Sequence, residues 1–219
     1  MNNQLLPDKI YHLSSVSTEG VLFFSKDQDY LLFLKFYKEN LSSILSTISF
    51  CLLPNEFHII IKINSEQELF NYYKQNDFFP DESESLESIR KLNHSLALQN
   101  FNVFDKHNQK MFTNFFNSFV AESKNQKQLQ FNKIAKQGFS KIELSDNVDI
   151  VTAITDIHKL PLKTNICTQI NQWKYSSYQA ILSDKPSNIN RDFVLNLFEG
   201  KEKFAALLNE INKTVEIEI

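Results

Sequence analysis

The chain has 219 residues, and 42% of them are hydrophobic, including 20 phenylalanines, which is enough material for one substantial core. Three glycines and five prolines exclude a fibrous or compositionally disordered polymer, and the lack of a long uncharged apolar run predicts a cytoplasmic protein without a membrane segment. The net charge of −3 is opposite in sign to the basic excess that counterion release favours in proteins that grip phosphate backbones, although it does not exclude a local basic patch.

The first third of the chain reads as strand, helix, strand, strand. Extended residues at 11–16 predict a first strand, and apolar residues at helical spacing predict a helix over 27–40. Two β-branched runs at 46–53 and 57–63 are separated by a short turn that begins at Pro54. This spacing predicts a β-hairpin.

The rest of the chain reads as mainly helical. One later segment, at 139–144, has the pattern of a strand, whereas the stretch 77–87 is acidic and predicts an exposed connection. Phenylalanines and a methionine share one face of a helix predicted over 110–124, namely Met111, Phe112, Phe115, Phe116 and Phe119. Further helices are predicted over 66–74, 86–100, 147–158 and most of the remaining tail.

These elements predict the α+β class, with one antiparallel sheet and helices packed on it. We expect an α+β domain over 1–145 and a helical C-terminal extension over 146–219 that packs on it. Cys51 and Cys167 lie far apart in neutral or apolar surroundings and match no zinc-binding spacing. They are interpreted as buried, reduced thiols.

Glu56 and His58 are the most informative polar residues of the predicted hairpin. They are separated by one residue on a strand, so their side chains point to the same face and can reach one point in space. A carboxylate and an imidazole at this spacing are a plausible half of a divalent-metal site. A histidine on an otherwise apolar strand is more often a hydrogen-bonded structural residue, and both interpretations stay open on the pattern alone.

The segment around this pair resembles the signature of the single-tyrosine HUH transposases, the REP-associated and insertion-sequence 200-like family. The family reads Tyr-Cys-Leu-Met-Pro-Asn-His-Phe-His, and the chain reads Phe-Cys-Leu-Leu-Pro-Asn-Glu-Phe-His over 50–58. Other stretches resemble the family in the same order, so the resemblance spans roughly 9–204. They are Tyr11-His12, the segment 156–163 (family Tyr-Ile-His-x-Asn-Pro-x-Lys), the segment 173–178 (family Trp-x-Trp/Tyr-Ser-Ser-Tyr) and Phe198-Glu199-Gly200 with Phe204.

The resemblance implies a ferredoxin-like sheet with helices, a possible homodimer, and single-stranded or hairpin DNA as the partner. The family's chemistry is cleavage and joining of single strands through a phosphotyrosine. Two histidines of the HUH strand hold a divalent cation, which acts as a Lewis acid while a helical tyrosine attacks the phosphate.

Two departures from the family pattern predict that this chemistry is lost. Glu56 replaces the first metal-binding histidine, so Glu56 and His58 are expected to be a vestigial metal pair, with no cofactor unless they still bind Mg²⁺ or Mn²⁺. The family's tyrosine is matched to Phe119, which has no oxygen with which to attack. The tyrosines nearest in sequence to these motifs do not fit the nucleophile's place: Tyr72, Tyr73, Tyr175 and Tyr178.

A basic, amide-rich stretch after the predicted Phe119 helix is the candidate DNA contact. Lysines alternate there with asparagine and glutamine, and only one acidic residue opposes them, which suits a groove along a phosphate backbone. The candidate DNA-binding residues are Lys124, Lys127, Lys133, Lys136 and Lys141. A solvated basic loop explains the same pattern equally well.

Three hypotheses follow. The first is a catalytically inactive transposase relative that still binds DNA. The second is an active, metal-dependent transposase that uses a displaced nucleophile on single-stranded DNA hairpins. The third is a protein-interaction module that keeps the fold without a nucleic-acid role, because function resides in the site rather than in the fold.

Overall fold

Four segments rich in β-branched and aromatic residues form one sheet, in a computed structural model that describes residues 4–17, 22–78, 85–95, 102–122 and 139–215. The strands are β1 (Ile10–Val16), β2 (Leu45–Leu53), β3 (Glu56–Ile63) and β4 (Ser140–Leu144). Their order across the sheet is β2-β3-β1-β4, and every neighbouring pair is antiparallel. The four predicted strands and the predicted hairpin are confirmed.

Helices connect and cover these strands. In the described residues they are α1 (Asp27–Leu41), α2 (Glu66–Gln75), α3 (Leu86–Ser95), α4 (Val103–Glu122), α5 (Asn147–Lys163), α6 (Tyr178–Leu182), α7 (Arg191–Leu197) and α8 (Lys201–Val215), with a 3₁₀ turn at Ile170–Gln172. The chain order and the strand order together are those of a ferredoxin-like sheet, so the predicted fold class is confirmed. None of the described helices is both long and apolar enough to cross a membrane.

The sheet is apolar on both faces, because successive side chains of β3 belong to two different hydrophobic clusters. Phe57, Ile59 and Ile61 belong to one hydrophobic cluster, whereas Ile60 belongs to the other. Successive side chains of a strand point to opposite faces, so His58 shares the face of Ile60. A sheet that buries both faces needs helices on both sides.

Helices α1 and α4 cover the face of Phe57. The phenylalanine face predicted on α4 is confirmed, since Phe115 and Phe119 both lie edge-on to Phe33 of α1. The helix begins at Val103, earlier than predicted, because its first turns are also held in place. There the buried Asn108 accepts from the Tyr73 hydroxyl at 2.6 Å and donates to the Leu5 carbonyl at 2.7 Å.

Helix α5 and the C-terminal helices cover the opposite face. Ile154 and Ile157 of α5 are buried with Ile60 of the sheet and Phe204 of α8. Residues on both sides of the predicted boundary at 145–146 therefore share one core. The division into a domain and an extension stays a prediction.

Helix α5 continues beyond its predicted end. The sequence predicts a helix over 147–158, but the helix runs to Lys163 with Pro161 inside its last turn. Pro161 has no N–H to donate to the Ile157 carbonyl, so the helix gives up one hydrogen bond at this position. The end is closed instead by Thr164, whose backbone N–H and side-chain hydroxyl both donate to the Leu160 carbonyl, at 2.9 and 2.8 Å.

The Trp-x-Tyr-Ser-Ser-Tyr segment pairs with the outer edge of β2. The Leu52 N–H donates to the Tyr175 carbonyl, and the Trp173 indole N–H donates to the Leu52 carbonyl, each at 2.9 Å. One step along, the Ser177 N–H donates to the Phe50 carbonyl at 2.9 Å. These bonds satisfy backbone groups that an edge strand otherwise leaves open.

Two segments singled out in the sequence meet at Ser177. The His158 ring is fully buried and its Nδ1–H donates to the Ile154 carbonyl at 2.8 Å, so its Nε2 accepts from the Ser177 hydroxyl at 3.0 Å. The same hydroxyl oxygen accepts from the Phe50 N–H at 3.0 Å and lies 2.9 Å from the Ser49 hydroxyl. A buried network in which each group has a partner holds α5 to the edge of β2.

Replacing Ser177 with alanine is expected to lower the free energy of unfolding by about 2 kcal/mol or more, since it leaves the His158 Nε2 and the Phe50 N–H buried without a partner. Urea denaturation measures this change. Ser176→Ala is the matched control, because the Ser176 hydroxyl is buried to a similar degree but makes one hydrogen bond, to the Trp173 carbonyl at 3.2 Å. Equal losses in the two variants would contradict the network.

Candidate functional site

Three polar side chains form a hydrogen-bonded chain on the α5 side of the sheet. His58 Nε2 lies 3.3 Å from Glu56 Oε2, and His58 Nδ1 lies 3.0 Å from His12 Nε2. The Glu56 and His58 side chains are 15% and 14% exposed, so the site is shielded but open to solvent. The expectation that Glu56 and His58 reach each other agrees with this geometry.

His12 joins the pair through the register of the sheet. Ser14 is directly opposite His58 on the neighbouring strand, and His12 is opposite Ile60. His12 and His58 are therefore diagonal neighbours on one face, a spacing that ring side chains can bridge, and their ring centroids lie 5.2 Å apart. His12 was not among the predicted site residues. Its position in the first strand was a usable signal only once the strand register was known.

His12 is neutral at neutral pH. Burial and, to a lesser extent, the neighbouring His58 lower the pKa of His12 to about 4, against the opposing effect of the Asp156 carboxylate. A neutral His12 can donate from Nε2 to His58 Nδ1, which leaves the His58 Nε2–H to donate to the Glu56 carboxylate. In this arrangement every donor meets an acceptor.

The chain of hydrogen bonds does not fit a metal ion. Glu56 and His12 lie on opposite sides of the His58 ring, each occupying one of its two nitrogens, whereas metal ligands must converge on one point. Within the residues that the structure describes, no group of three or more histidine, cysteine, aspartate or glutamate side chains is placed to hold a metal. Binding a cation here needs one ring nitrogen of His58 to give up its hydrogen bond.

Helix α5 adds a carboxylate to the site. Asp156 interacts with His12 electrostatically, and it forms an ion pair with Lys159 at 3.6 Å, with its side chain 53% exposed. In the motif that the segment 156–163 resembles, a tyrosine stands where this chain has Asp156. The helix over the candidate site therefore presents an acid at this position.

Phe119 lies on the other side of the sheet. It is fully buried against Phe33, in the cluster that contains Phe57, and strand alternation sends Phe57 and His58 to opposite faces. The two residues that the resemblance joins in one mechanism, Phe119 and His58, are thus separated by the sheet. No rotation of a side chain at position 119 brings it to His58.

Lys141 is the member of the predicted DNA-binding set that lies in the described residues. On β4 it is opposite Leu13, so it faces the α4 side, and its Nζ lies 5.6 Å from the centre of the Phe139 ring. Burial lowers the pKa of Lys141, although nearby Asp105 opposes this. The structure does not bring Lys141 to the face of His12. The other four predicted lysines, Lys124, Lys127, Lys133 and Lys136, lie outside the described residues.

Comparison with solved structures finds a related fold. The chain is similar to a REP-associated tyrosine transposase bound to a REP hairpin, with a TM-score of 0.50 and 11% sequence identity over 83% of this chain and 85% of the other. No protein-family model and no curated protein matches the sequence. At this identity the likeness shows a transposase-like fold and nothing finer.

Proposed function

We propose that this chain is a transposase-like DNA-binding protein that takes single-stranded or hairpin DNA and does not cleave it through a tyrosine. The observation that carries the proposal is the shared fold, which covers most of both chains and whose solved relative is bound to a REP hairpin. The placement of the tyrosines and the charge of the candidate site support the second half of the proposal, and a third observation concerns the DNA contact.

The first support is the placement of the tyrosines, all seven of which lie in the described residues. Six of them belong to or pack against the cluster on the α1 and α4 side of the sheet: Tyr11, Tyr30, Tyr37, Tyr72, Tyr73 and Tyr175. Tyr178 is on the α5 side, but it is 4% exposed and packs between His158 and Phe204. A buried phenol is poorly placed to attack a phosphodiester.

The second support is the charge of the candidate site. Glu56 on β3 and Asp156 on α5 place two carboxylates near the His12–His58 pair, and Lys159 pairs with Asp156 but not with Glu56. Without a cation between them, carboxylates repel a phosphate, and the hydrogen-bond chain does not favour cation binding. We therefore propose that the scissile-phosphate position of a working transposase has become an acidic, hydrogen-bonded surface.

The third support concerns where DNA is held instead. The basic stretch from Lys124 to Lys136 follows α4 in the chain, and the nearest acidic residue in sequence is Glu122. Glu56 and Asp156 lie in other segments of the chain. Lysines interspersed with amides suit a phosphate backbone. We propose this stretch as the main DNA contact.

The test is a fluorescence-anisotropy titration with single-stranded and hairpin DNA at two salt concentrations. Substituting glutamine for Lys124, Lys127, Lys133 and Lys136 is expected to reduce the slope of log K against log salt by about 3, since each lost single-strand phosphate contact removes about 0.7. The matched control replaces four exposed lysines elsewhere, Lys91, Lys106, Lys163 and Lys185, and so makes the same change in net charge. Equal effects of the two sets would contradict a specific contact.

Cleavage is tested in the same samples with Mg²⁺ or Mn²⁺ added. We expect binding without a covalent protein–DNA adduct on a denaturing gel. An adduct would favour the active transposase with a displaced nucleophile. No binding under any of these conditions would favour the protein-interaction module.

A further inference from the structure

A groove of about 490 Å³ lies on the outer edge of the sheet, away from the Glu56–His58 pair. One wall is the C-terminal half of α1, the floor is β2, and the other wall is the loop at 187–189 together with Ala180. Its volume is within the range of ligand-binding pockets in proteins. Apart from Phe50, which begins the segment that resembles the family signature, the residues that line the groove lie outside the resembling segments and outside the hydrogen-bond chain of the candidate site.

The groove is open because each of its two walls is hydrogen-bonded to β2 at a different group. The Tyr37 hydroxyl of α1 lies 2.9 Å from the Thr47 hydroxyl, and the Asn190 N–H beyond the loop donates to the Thr47 carbonyl at 2.7 Å. The register of β2 shifts between Thr47 and Ser49, so Ile48 is an extra residue that turns into the opposite core. A bulge of this kind bends an edge strand and opens space beside it.

The charge of the lining favours an anion. Lys38 is exposed at the rim, and none of the residues that line the groove is acidic. Across the described ranges, the Lys38 ammonium has no ion-pair partner, whereas Lys35, one turn earlier on α1, pairs with Glu39 at 4.0 Å. A lysine left free beside an apolar groove suits one negatively charged group.

The surface of the groove also suits a flat, partly polar ring. Phe50 is half-buried on the floor, and it stacks on no other aromatic ring in the part of the chain that the structure describes, unlike most phenylalanines of the core. Beside it, the Ser46 hydroxyl and the Asn188 amide make no hydrogen bond to other described residues. An open ring face, two polar groups and one cation match the parts of a nucleotide.

We propose that this groove holds one nucleotide of a single DNA strand, with its base against the Phe50 ring and its phosphate at Lys38. The inference rests on the proposed DNA-binding function and adds a contact separate from the Lys124–Lys136 stretch. Stacking on aromatic rings is the general way in which proteins bind single-stranded bases without reading their sequence. The groove therefore accepts any base, and it does not accept a paired duplex.

The first experiment measures the affinity of a short labelled oligothymidylate for two groove variants. Phe50→Leu keeps an apolar side chain but removes the ring, and it is expected to weaken binding about tenfold, within the usual effect of losing one stacked base. Lys38→Gln is expected to reduce the slope of log K against log salt by about 0.7, the value for one single-strand phosphate.

The matched controls are both on α1, the helix that carries Lys38, and lie outside the groove. Phe36→Leu removes a half-buried ring, and Lys35→Gln removes an exposed lysine. Both are expected to bind the oligonucleotide like the unaltered chain. If wild-type protein binds the strand but all four variants bind equally well, the groove assignment is overturned while the proposed function stands. If wild-type protein binds no DNA, both are overturned.

A second measurement needs no substitution. An oligonucleotide carrying 5-iodouracil is irradiated in complex with the wild-type chain, and the attached peptide is identified by mass spectrometry. Attachment at Phe50 or Tyr37 supports the proposal, and attachment confined to other regions overturns it. Thymidine 5′-monophosphate tests the other source of the same chemistry: if it binds the groove while the strand attaches elsewhere, the site is one for free nucleotides and the assignment to DNA is wrong.

Discussion

Replacing Phe119 with alanine is expected to lower the free energy of unfolding by about 3–5 kcal/mol, the usual cost of deleting a buried aromatic ring. The ring is fully buried, and it lies edge-on to Phe33 at 5.4 Å between centroids, at the contact between α1 and α4. Little can collapse into the resulting space, because both helices are fixed on the sheet. Urea denaturation measures the change, and Phe36→Ala, at a half-buried position on α1, is expected to cost clearly less.

Phe119→Tyr separates the structural role of this position from the catalytic role that the family resemblance suggests. The added hydroxyl enters an apolar core, so we expect a loss of about 1–3 kcal/mol unless it finds a hydrogen-bond partner. We also expect no covalent adduct with single-stranded DNA in the presence of Mg²⁺, because His58 lies across the sheet. An adduct formed by this variant would show that the two faces communicate in a way that the fold does not suggest.

Acidification is expected to destabilise the chain between pH 6.5 and about pH 4. The His158 ring is fully buried, and burial lowers its pKa to about 4, although the bond to the Ile154 carbonyl raises it in part. A histidine whose folded pKa lies below its unfolded value contributes stability that is complete above the unfolded pKa and is lost as the pH falls towards the folded one. The difference between the unfolded and folded pKa values of His158 corresponds to roughly 3 kcal/mol in the free energy of unfolding.

Urea denaturation at a series of pH values measures the effect. His158→Gln removes the titrating group, so this variant is expected to be less stable at pH 7 but to lose less stability on acidification. His94→Gln, at an exposed position, is the control and is expected to keep the wild-type pH profile. Burial also lowers the pKa of His12 and of His107 to about 4. His158→Gln is therefore expected to keep part of the destabilisation that acid causes in the wild-type chain. An unchanged profile in that variant would contradict the assignment to His158.

Local pattern was sufficient to predict most of the elements. The alternation of β3 and the helical spacing of the phenylalanines on α4 are each set by the geometry of one element, so they can be read from the sequence without a partner. The end of α5 was mispredicted, because Pro161 reads locally as a helix terminator. In the last turn of a helix the hydrogen bonds of Thr164 and the buried contacts of Leu162 outweigh that preference.

The sequence by itself determined that Glu56 and His58 share one face of a strand, because side chains alternate with a period of two whatever surrounds them. Only the tertiary structure decided what meets them there. Strand register brought His12 to His58, and the packing of helices on two apolar faces placed α5 with Asp156 above them and α4 with Phe119 beneath the sheet. An amphipathic helix carries no mark of which of two apolar faces it will cover, since that choice depends on the connections and on the packing of the whole chain.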